Sequence, residues 1–238
     1  GDHRDLHLSL RRQRQMCIRD RRYVADSGGG VRGTVWYQGE SDREPAQRKV
    51  YARNFRWFLA DLRKSLKCPN LPVITTQLNR WIGATDPSSD DDWEEMRELQ
   101  RQLTYSLKSL FIISTLDLGL SDSIHTNSLG NVAIGQRTAA TALGGVYGRD
   151  VKFRHPECVS ARRRGRRIEL RFDHVDERLH FESLVPSHFP FRVEDGDGVV
   201  PVAGWSTPAP NRFDIELGLS LIHISEPTRR TPISYAVL

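Results

Sequence analysis

Between residues 31 and 143, short apolar runs alternate with longer segments whose apolar residues recur at helical spacing. The runs are rich in β-branched and aromatic residues, which is typical of strands. The predicted strands cover 31–37, 72–78 and 111–116, and the predicted helices cover 45–66, 92–107 and 131–143. A polar loop over 79–91 precedes the second helix, and Asp92 with Glu95 has the spacing of a capping box at its start. Strands joined by helices pair in parallel, so we predict an α/β fold with three α/β/α layers around a parallel sheet.

The pattern changes after Gly148, where short strands are separated by turn residues. The predicted strands here are 167–172, 179–184, 191–194 and 199–202. The sequence Asp195-Gly196-Asp197-Gly198 is typical of a hairpin turn. We therefore predict a partial α/β domain over 22–150 and a small antiparallel β module over 151–218.

The two ends of the chain resemble translated DNA adapters. Gln15–Arg21 and Leu219–Ser225 can be encoded by the two strands of one transposon-end oligonucleotide of the kind used in sequencing libraries. We expect residues 1–21 and 219–238 to be adapter-like extensions of a metagenomic fragment, with no native fold. The alternative is a basic N-terminal arm and a polar tail.

The basic charge of the chain comes mainly from these ends, which carry +3 and +1 of the net +5. Residues 22–218 therefore keep +1, and a nucleic-acid partner is not expected. One basic cluster remains, Arg162–Arg164 with Arg166 and Arg167 around Gly165, and it favours a tight turn with solvated charges over a polyanion site. No apolar run approaches the roughly 20 residues that cross a bilayer, so we expect no membrane partner. Three scattered cysteines predict neither a disulfide framework nor a zinc site.

Two loops that follow predicted strands carry the candidate functional residues. The first contains Gln38, Gly39 and Glu40, and the second contains Asp122 and His125. Chemistry in open α/β sheets lies at the carboxyl ends of the strands, which is where both loops fall. A simpler interpretation of the first loop is a helix start capped by its Ser or Asp. The other histidines of 22–218 are expected at the surface of the β module, and they are His155, His174, His180 and His188.

Taken together, the blocks resemble the sialate O-acetylesterase-like family of SGNH hydrolases. Gly33–Asp42, with sequence GTVWYQGESD, is similar to the family block G-x-x-W-Y-Q-G-E-S-[DN]. Arg97–Gln100 resembles its R-E-x-Q helix, Asp122–His125 resembles its D-x-x-H block, and Ala142–Gly148 resembles the segment leading out of the catalytic domain. The resemblance covers about residues 28–218 and implies an SGNH-hydrolase-like sheet whose first strand is missing from this chain.

The resemblance implies acyl transfer from an acetylated carbohydrate, with no metal and no cofactor. His125 would be the general base and acid, and Asp122 would orient it. Gln38 and Gly39 would donate hydrogen bonds to the oxyanion. Glu40 could replace or assist Asp122, or hold its loop. The resemblance also suggests a periplasmic or secreted protein and leaves the oligomeric state open.

The sequence departs from the family pattern in two places. Thr126 follows the D-x-x-H block where proline is common. The G-Q-S-N motif of the nucleophilic serine occurs nowhere in the chain, so we expect the chain as it stands to be inactive. The rival functions are an acetylxylan or other SGNH esterase, and a non-catalytic carbohydrate-binding protein.

Overall fold

The computed structural model describes residues 23, 24, 26–82, 87–179, 191–196 and 198–218, and only the backbone of 87–91. The first part of the chain forms β1 (Thr34–Tyr37), α1 (Pro45–Ser65), β2 (Val73–Thr76), α2 (Pro87–Ser106), β3 (Leu110–Ile113) and α3 (Ser128–Thr141). A single π-helical turn, Ala142–Val146, continues α3. The second part forms β4 (Glu157–Arg164), β5 (Arg167–Asp173), β6 (Glu194–Asp195), β7 (Gly198–Val199), β8 (Val202–Ala209) and β9 (Arg212–Leu217).

The first three strands form the predicted parallel sheet, in the order β1-β2-β3. Thr34 pairs with Val73, and Val73 pairs with Leu110. All four residues of the central strand β2 are buried, as expected for a strand with neighbours on both edges and helices on both faces. The α/β prediction is therefore confirmed.

Helices lie on both faces of this sheet. The apolar stripes of α1 and α2 pack together over the face that carries Val73 and Leu110, in one core with Trp93 and Met96. Phe111 alternates to the opposite face, where the π-helical turn after α3 contacts its ring. A Cβ on Gly145 would lie 2.7 Å from that ring, so only glycine allows this close approach.

Helix α2 begins at Pro87, whereas the sequence predicted a loop as far as residue 91. Proline suits the first turn of a helix, because its missing N–H would have no partner there. Asp92 and Glu95 therefore lie within the helix and do not form a cap. Both carboxylates bind Arg48 of α1 instead, at 2.8 and 2.5 Å, and this ion pair joins the two helices.

The β module forms a four-stranded antiparallel sheet in the order β4-β5-β9-β8. Its buried residues form a second core that includes Leu170, Phe213 and Ile215. Strand β4 extends through Arg164, so Arg162–Arg164 lie in a strand, and the predicted turn is confined to Gly165 and Arg166. All three arginines are exposed, and their pairing with β5 continues through Arg164.

The predicted hairpin at residues 195–198 is present, as β6 pairs with β7. Most of the predicted strand 179–184 lies outside the described residues, as do His180 and His188 and the adapter-like ends. The strand predicted over 191–194 is shorter in the structure, where it begins at Glu194. Among the described helices, none is long and apolar enough to span a bilayer.

Candidate active site

The loops that leave the carboxyl ends of β1, β2 and β3 meet at one edge of the sheet. Backbone hydrogen bonds connect them: Ile82 N, after β2, donates to Ser123 O, after β3, at 2.9 Å. Arg80 Nη1 donates to Leu116 O at 3.0 Å. Parallel strands place their carboxyl ends together, so residues distant in sequence come together at this edge.

His125 and Asp122 form a hydrogen-bonded pair in the loop after β3. His125 Nδ1 lies 2.7 Å from Asp122 Oδ2. The other carboxylate oxygen, Oδ1, accepts from the backbone N–H groups of His125 at 2.8 Å and Ile124 at 2.9 Å. These backbone bonds, and then the imidazole, lower the pKa of Asp122 to about 2. The pair is open to solvent, with 72% of the His125 side chain exposed.

The loop that carries this pair closes on itself. Leu120 and Thr126 form an antiparallel bridge across its base. Ser121 N donates to His125 O at 2.8 Å, and Asn127 N donates to Gly119 O at 2.9 Å. The Asn127 side chain then caps α3 by accepting from Gly130 N at 2.8 Å. The start of α3 therefore fixes the backbone next to His125.

In the loop after β1, two donors of Gln38 and Gly39 bind carboxylates of nearby residues in the same loop. Gly39 N donates to Glu40 Oε2 at 2.9 Å, and Gln38 Nε2 donates to Asp42 Oδ2 at 2.5 Å. Both groups expected to bind an oxyanion therefore point to negatively charged oxygen in this structure. The Glu40 carboxylate bonds within its loop, while the His125 ring bonds to Asp122.

Gln100 of α2 holds the backbone of this loop. Its side chain is buried, and Nε2 donates to Gln38 O at 3.0 Å while Oε1 accepts from Leu78 N at 2.9 Å. Gly39 has φ +157°, and a Cβ there would lie 2.9 Å from Gln100 Nε2. The glycine thus allows the amide of Gln100 to reach the loop. This contact joins the segment Gly33–Asp42 to the segment Arg97–Gln100.

Thr126 connects the two candidate loops. Its Oγ1 accepts from the buried Asn79 Nδ2 at 2.9 Å and lies 3.4 Å from the Tyr37 hydroxyl. Tyr37 precedes Gln38, and Thr126 follows His125, so both candidate blocks meet through this contact. The sequence identified Thr126 only as a departure from proline and missed Asn79 and Tyr37 as its partners. Asn79 directly follows a predicted buried strand, and residues at that position often belong to the functional site of an α/β sheet. The sequence therefore contained a signal for Asn79.

His155 departs from its predicted place on the surface of the β module. Its ring is half-buried near the ion pair of Arg137 with Asp117, and Nε2 has no hydrogen-bond partner among the described residues. Burial, together with Arg137, lowers the pKa of His155 to about 4. The described residues include no group of three or more His, Cys, Asp and Glu side chains arranged to hold a metal ion.

Comparison with known proteins identifies one family. Residues 11–144, more than half of the chain, match the family described as carbohydrate esterase, sialic acid-specific acetylesterase. The matched range includes residues 11–21 of the adapter-like segment, whose origin stays a prediction.

Two individual proteins are similar to this chain. A probable carbohydrate esterase of Arabidopsis thaliana is 29% identical over 118 residues, which are 49% of this chain and 42% of that protein. The crystal structure of a carbohydrate acetylesterase from Xanthomonas citri superposes with a TM-score of 0.62 at 22% identity, over 78% of this chain and 42% of that one. The second comparison shows a shared fold. The chain spans less than half the length of both proteins.

Proposed function

We propose that this chain, which belongs to the carbohydrate esterase, sialic acid-specific acetylesterase family, is the base-bearing part of a sialate-type carbohydrate O-acetylesterase. The observation that carries the proposal is the His125–Asp122 pair at 2.7 Å, beside a loop whose N–H donors already bind anionic oxygen. Its substrate would be an acetylated sugar, and the leaving group would be the sugar hydroxyl.

In the proposed reaction a serine oxygen attacks the acetyl carbonyl carbon. His125 Nε2 takes the serine proton as the tetrahedral intermediate forms, and passes it to the sugar oxygen as the C–O bond breaks. Water then attacks the acetyl-serine with His125 again as base, and acetate leaves. Asp122 stays ionised throughout, accepts a hydrogen bond from the Nδ1–H group of His125 and stabilises the imidazolium.

The oxyanion of the intermediate would bind Gly39 N and Gln38 Nε2. A preorganised donor of this kind lowers the activation barrier by about 3–4 kcal/mol in acyl-transfer enzymes. In this structure the donors bind Glu40 and Asp42, so the substrate must compete with these carboxylates. Glu40 is therefore proposed as a residue that holds its loop, and Asp122 as the orienter of His125.

The nucleophile is proposed to lie outside this chain. No serine stands in a G-Q-S-N context, and within the described residues the His125 ring bonds to Asp122 and to no hydroxyl. The outer edge of β1 pairs with no described strand. A strand added there would end beside Gln38, where a following serine could reach His125.

The experiment compares two proteins on a chromogenic acetyl ester. The chain as it stands should show no turnover above its His125→Ala variant, because loss of a triad member leaves only about 10³–10⁴-fold catalysis over water. A second protein joins the corresponding upstream segment of the Xanthomonas citri esterase ahead of residue 28. It should release acetate in a His125-dependent manner. Turnover by the chain alone would contradict the proposal that the nucleophile lies outside it. A folded but inactive fusion would contradict the proposed esterase function.

The same fusion separates the rival functions. Release of acetate from O-acetylated sialic acid rather than acetylated xylan supports the sialate-type substrate, and the reverse supports an acetylxylan esterase. Binding of either substrate without acetate release would indicate a non-catalytic carbohydrate-binding protein.

A further inference from the structure

The side chain of Asn79 is buried where the loops after the three parallel strands meet, and only 1% of the residue is exposed. Its Oδ1 accepts from Arg80 N at 2.8 Å, which fixes the orientation of the amide. Nδ2 therefore points the other way, donates to Thr126 Oγ1 at 2.9 Å and lies 3.5 Å from Leu118 O. Asn79 thus joins the end of β2 to the loop that carries His125.

The hydroxyl of Thr126 extends this connection to β1. Its oxygen lies 3.4 Å from the hydroxyl of Tyr37, the last residue of β1. A hydroxyl group donates one hydrogen bond and accepts others, so Thr126 can bind Asn79 and Tyr37 at once. Burial raises the pKa of Tyr37, and the hydrogen bond with Thr126 opposes that rise. The three side chains therefore form one chain of hydrogen bonds.

This chain of hydrogen bonds crosses a gap that strand pairing leaves open. β1 and β3 pair with opposite edges of β2, which places them about 9–10 Å apart. Within the described residues, no hydrogen bond joins 38–42 directly to 118–126. The contact between Tyr37 and Thr126 therefore connects β1 to the loop after β3 without passing through the backbone of β2.

The two ends of the connection lie next to residues of the proposed reaction. Tyr37 precedes Gln38, whose amide is a proposed oxyanion donor, and Thr126 follows His125. Acyl transfer requires the donors and the imidazole around one carbonyl group, and a misplacement of about 1 Å can cost about 10²-fold in rate. The rate therefore depends on how the two loops are held relative to each other.

We propose that Asn79 and Thr126 are positioning residues, which act through the Tyr37 hydroxyl to set the distance between the Gln38 loop and His125. They need not touch the substrate. Their effect on the rate rests on the proposed function, whereas the connection between the loops is a property of this chain alone.

The first test follows amide signals of the isotope-labelled chain by NMR. Thr126→Val removes the hydroxyl at nearly constant shape and should shift the signals of Gln38 and Gly39, which belong to the other loop. Thr126→Ser restores the hydroxyl and should restore these signals. Tyr37→Phe removes the opposite end of the connection from a partly exposed ring and should shift the signal of His125.

Thr104→Val in α2 is the matched control. The Thr104 hydroxyl is partly buried and donates to Arg101 O of its own helix at 2.7 Å. Its removal costs a threonine hydrogen bond without touching either loop. The signals of Gln38, Gly39 and His125 should therefore stay unchanged.

The second test measures turnover in the fusion enzyme. Thr126→Val should lower kcat by about 10–100-fold with KM nearly unchanged, while Thr126→Ser and Thr104→Val should keep most of the activity. A residue that only supports the fold would lower the folded fraction and not kcat per folded molecule. The double variant of Tyr37→Phe with Thr126→Val should be no slower than Thr126→Val alone, because both changes remove the same contact.

Two results would overturn the proposal. One is unchanged Gln38 and Gly39 signals in Thr126→Val, and the other is an active fusion whose kcat does not respond to that substitution. If Thr126→Val fails to fold, the His125 signal and kcat of Tyr37→Phe decide in the same way. A folded fusion without turnover would contradict the proposed function, and the amide signals of the chain would still decide whether the loops are connected.

Discussion

Asp122 performs two tasks with its two carboxylate oxygens. Oδ1 accepts from two backbone N–H groups and shapes the loop, while Oδ2 accepts from the His125 ring. Because its pKa is lowered to about 2, the carboxylate is ionised above about pH 3. Its ability to orient the imidazole is therefore lost only as the pH falls towards 2.

Asp122→Asn should reverse the tautomer of His125. The amide oxygen can keep the backbone bonds, which turns the NH₂ group towards Nδ1 and moves the ring proton to Nε2. In the fusion enzyme, kcat should fall by up to about 10⁴ with little change in KM. In the chain itself, the tautomer is measured by ¹⁵N NMR of the imidazole. Ser123→Ala in the same loop is the control, and an unchanged tautomer in Asp122→Asn would contradict the assignment.

His155 should make the fold sensitive to acid. Its pKa is about 4 in the folded chain and about 6.5 when unfolded, so the unfolded state binds more protons between these values. The contribution of the neutral ring is fully present above about pH 6.5 and is lost as the pH falls towards 4. Urea unfolding at pH 7, 5.5 and 4.5 measures how the free energy of unfolding changes with pH. This pH dependence should weaken in His155→Gln but not in His174→Gln. An equal pH dependence in the two variants would contradict burial of a neutral ring.

At the scale of elements, α2 positions the loop after β1. Gln100 spans from that loop to the segment after β2, and Gly39 leaves the space through which its amide reaches Gln38. A side chain on a helix thus fixes the backbone that carries the proposed oxyanion donors.

Gly39→Ala should destabilise the chain by about 1–3 kcal/mol, through its positive φ and the contact with Gln100. Gly135→Ala in α3 is the matched control, because a Cβ there meets no atom within 4 Å. The control should be neutral or stabilising by about 0.5–1 kcal/mol. Urea unfolding measures both free energies, and equal effects would show that the Gln38 loop tolerates a Cβ.

At the scale of the whole molecule, the parallel sheet and the β module have separate cores. The Arg101–Glu157 ion pair joins α2 to β4, and both side chains are largely covered. The exposed pair of Lys152 with Asp176 also bridges the segment before β4 to the module. Burial should make the first pair matter more than the second.

Glu157→Gln should loosen the segment over 149–156. A loss of about 1–2 kcal/mol raises the open population by a factor of about 5–30, and cleavage by a protease at low concentration should rise in proportion. Lys152→Gln should change the cleavage rate little. Equal rates in the two variants would show that the Arg101 pair does not hold the module in place.

The alternation of apolar runs and helical stripes was enough to predict the α/β fold, because burial and periodicity are local properties of the chain. The sequence did not predict that α2 begins at Pro87, because a run of polar residues at a helix start resembles a loop. The ion pair between Asp92 and Arg48, which belongs to another helix, is visible only in the tertiary structure. His155 was misplaced for a similar reason: it lies near Arg137 and Asp117, which are distant from it in the sequence.

The sequence by itself placed Asp122 and His125 three residues apart in one loop, and it left open whether Asp122 or Glu40 contacts the imidazole. It also placed the Gln38 loop at the end of a strand. Only the tertiary structure decided that Asp122 rather than Glu40 contacts His125, and that Gln100 reaches Gln38 across 62 residues. Such contacts depend on how helices pack on the sheet, and that packing sums many weak interactions between residues far apart in the chain.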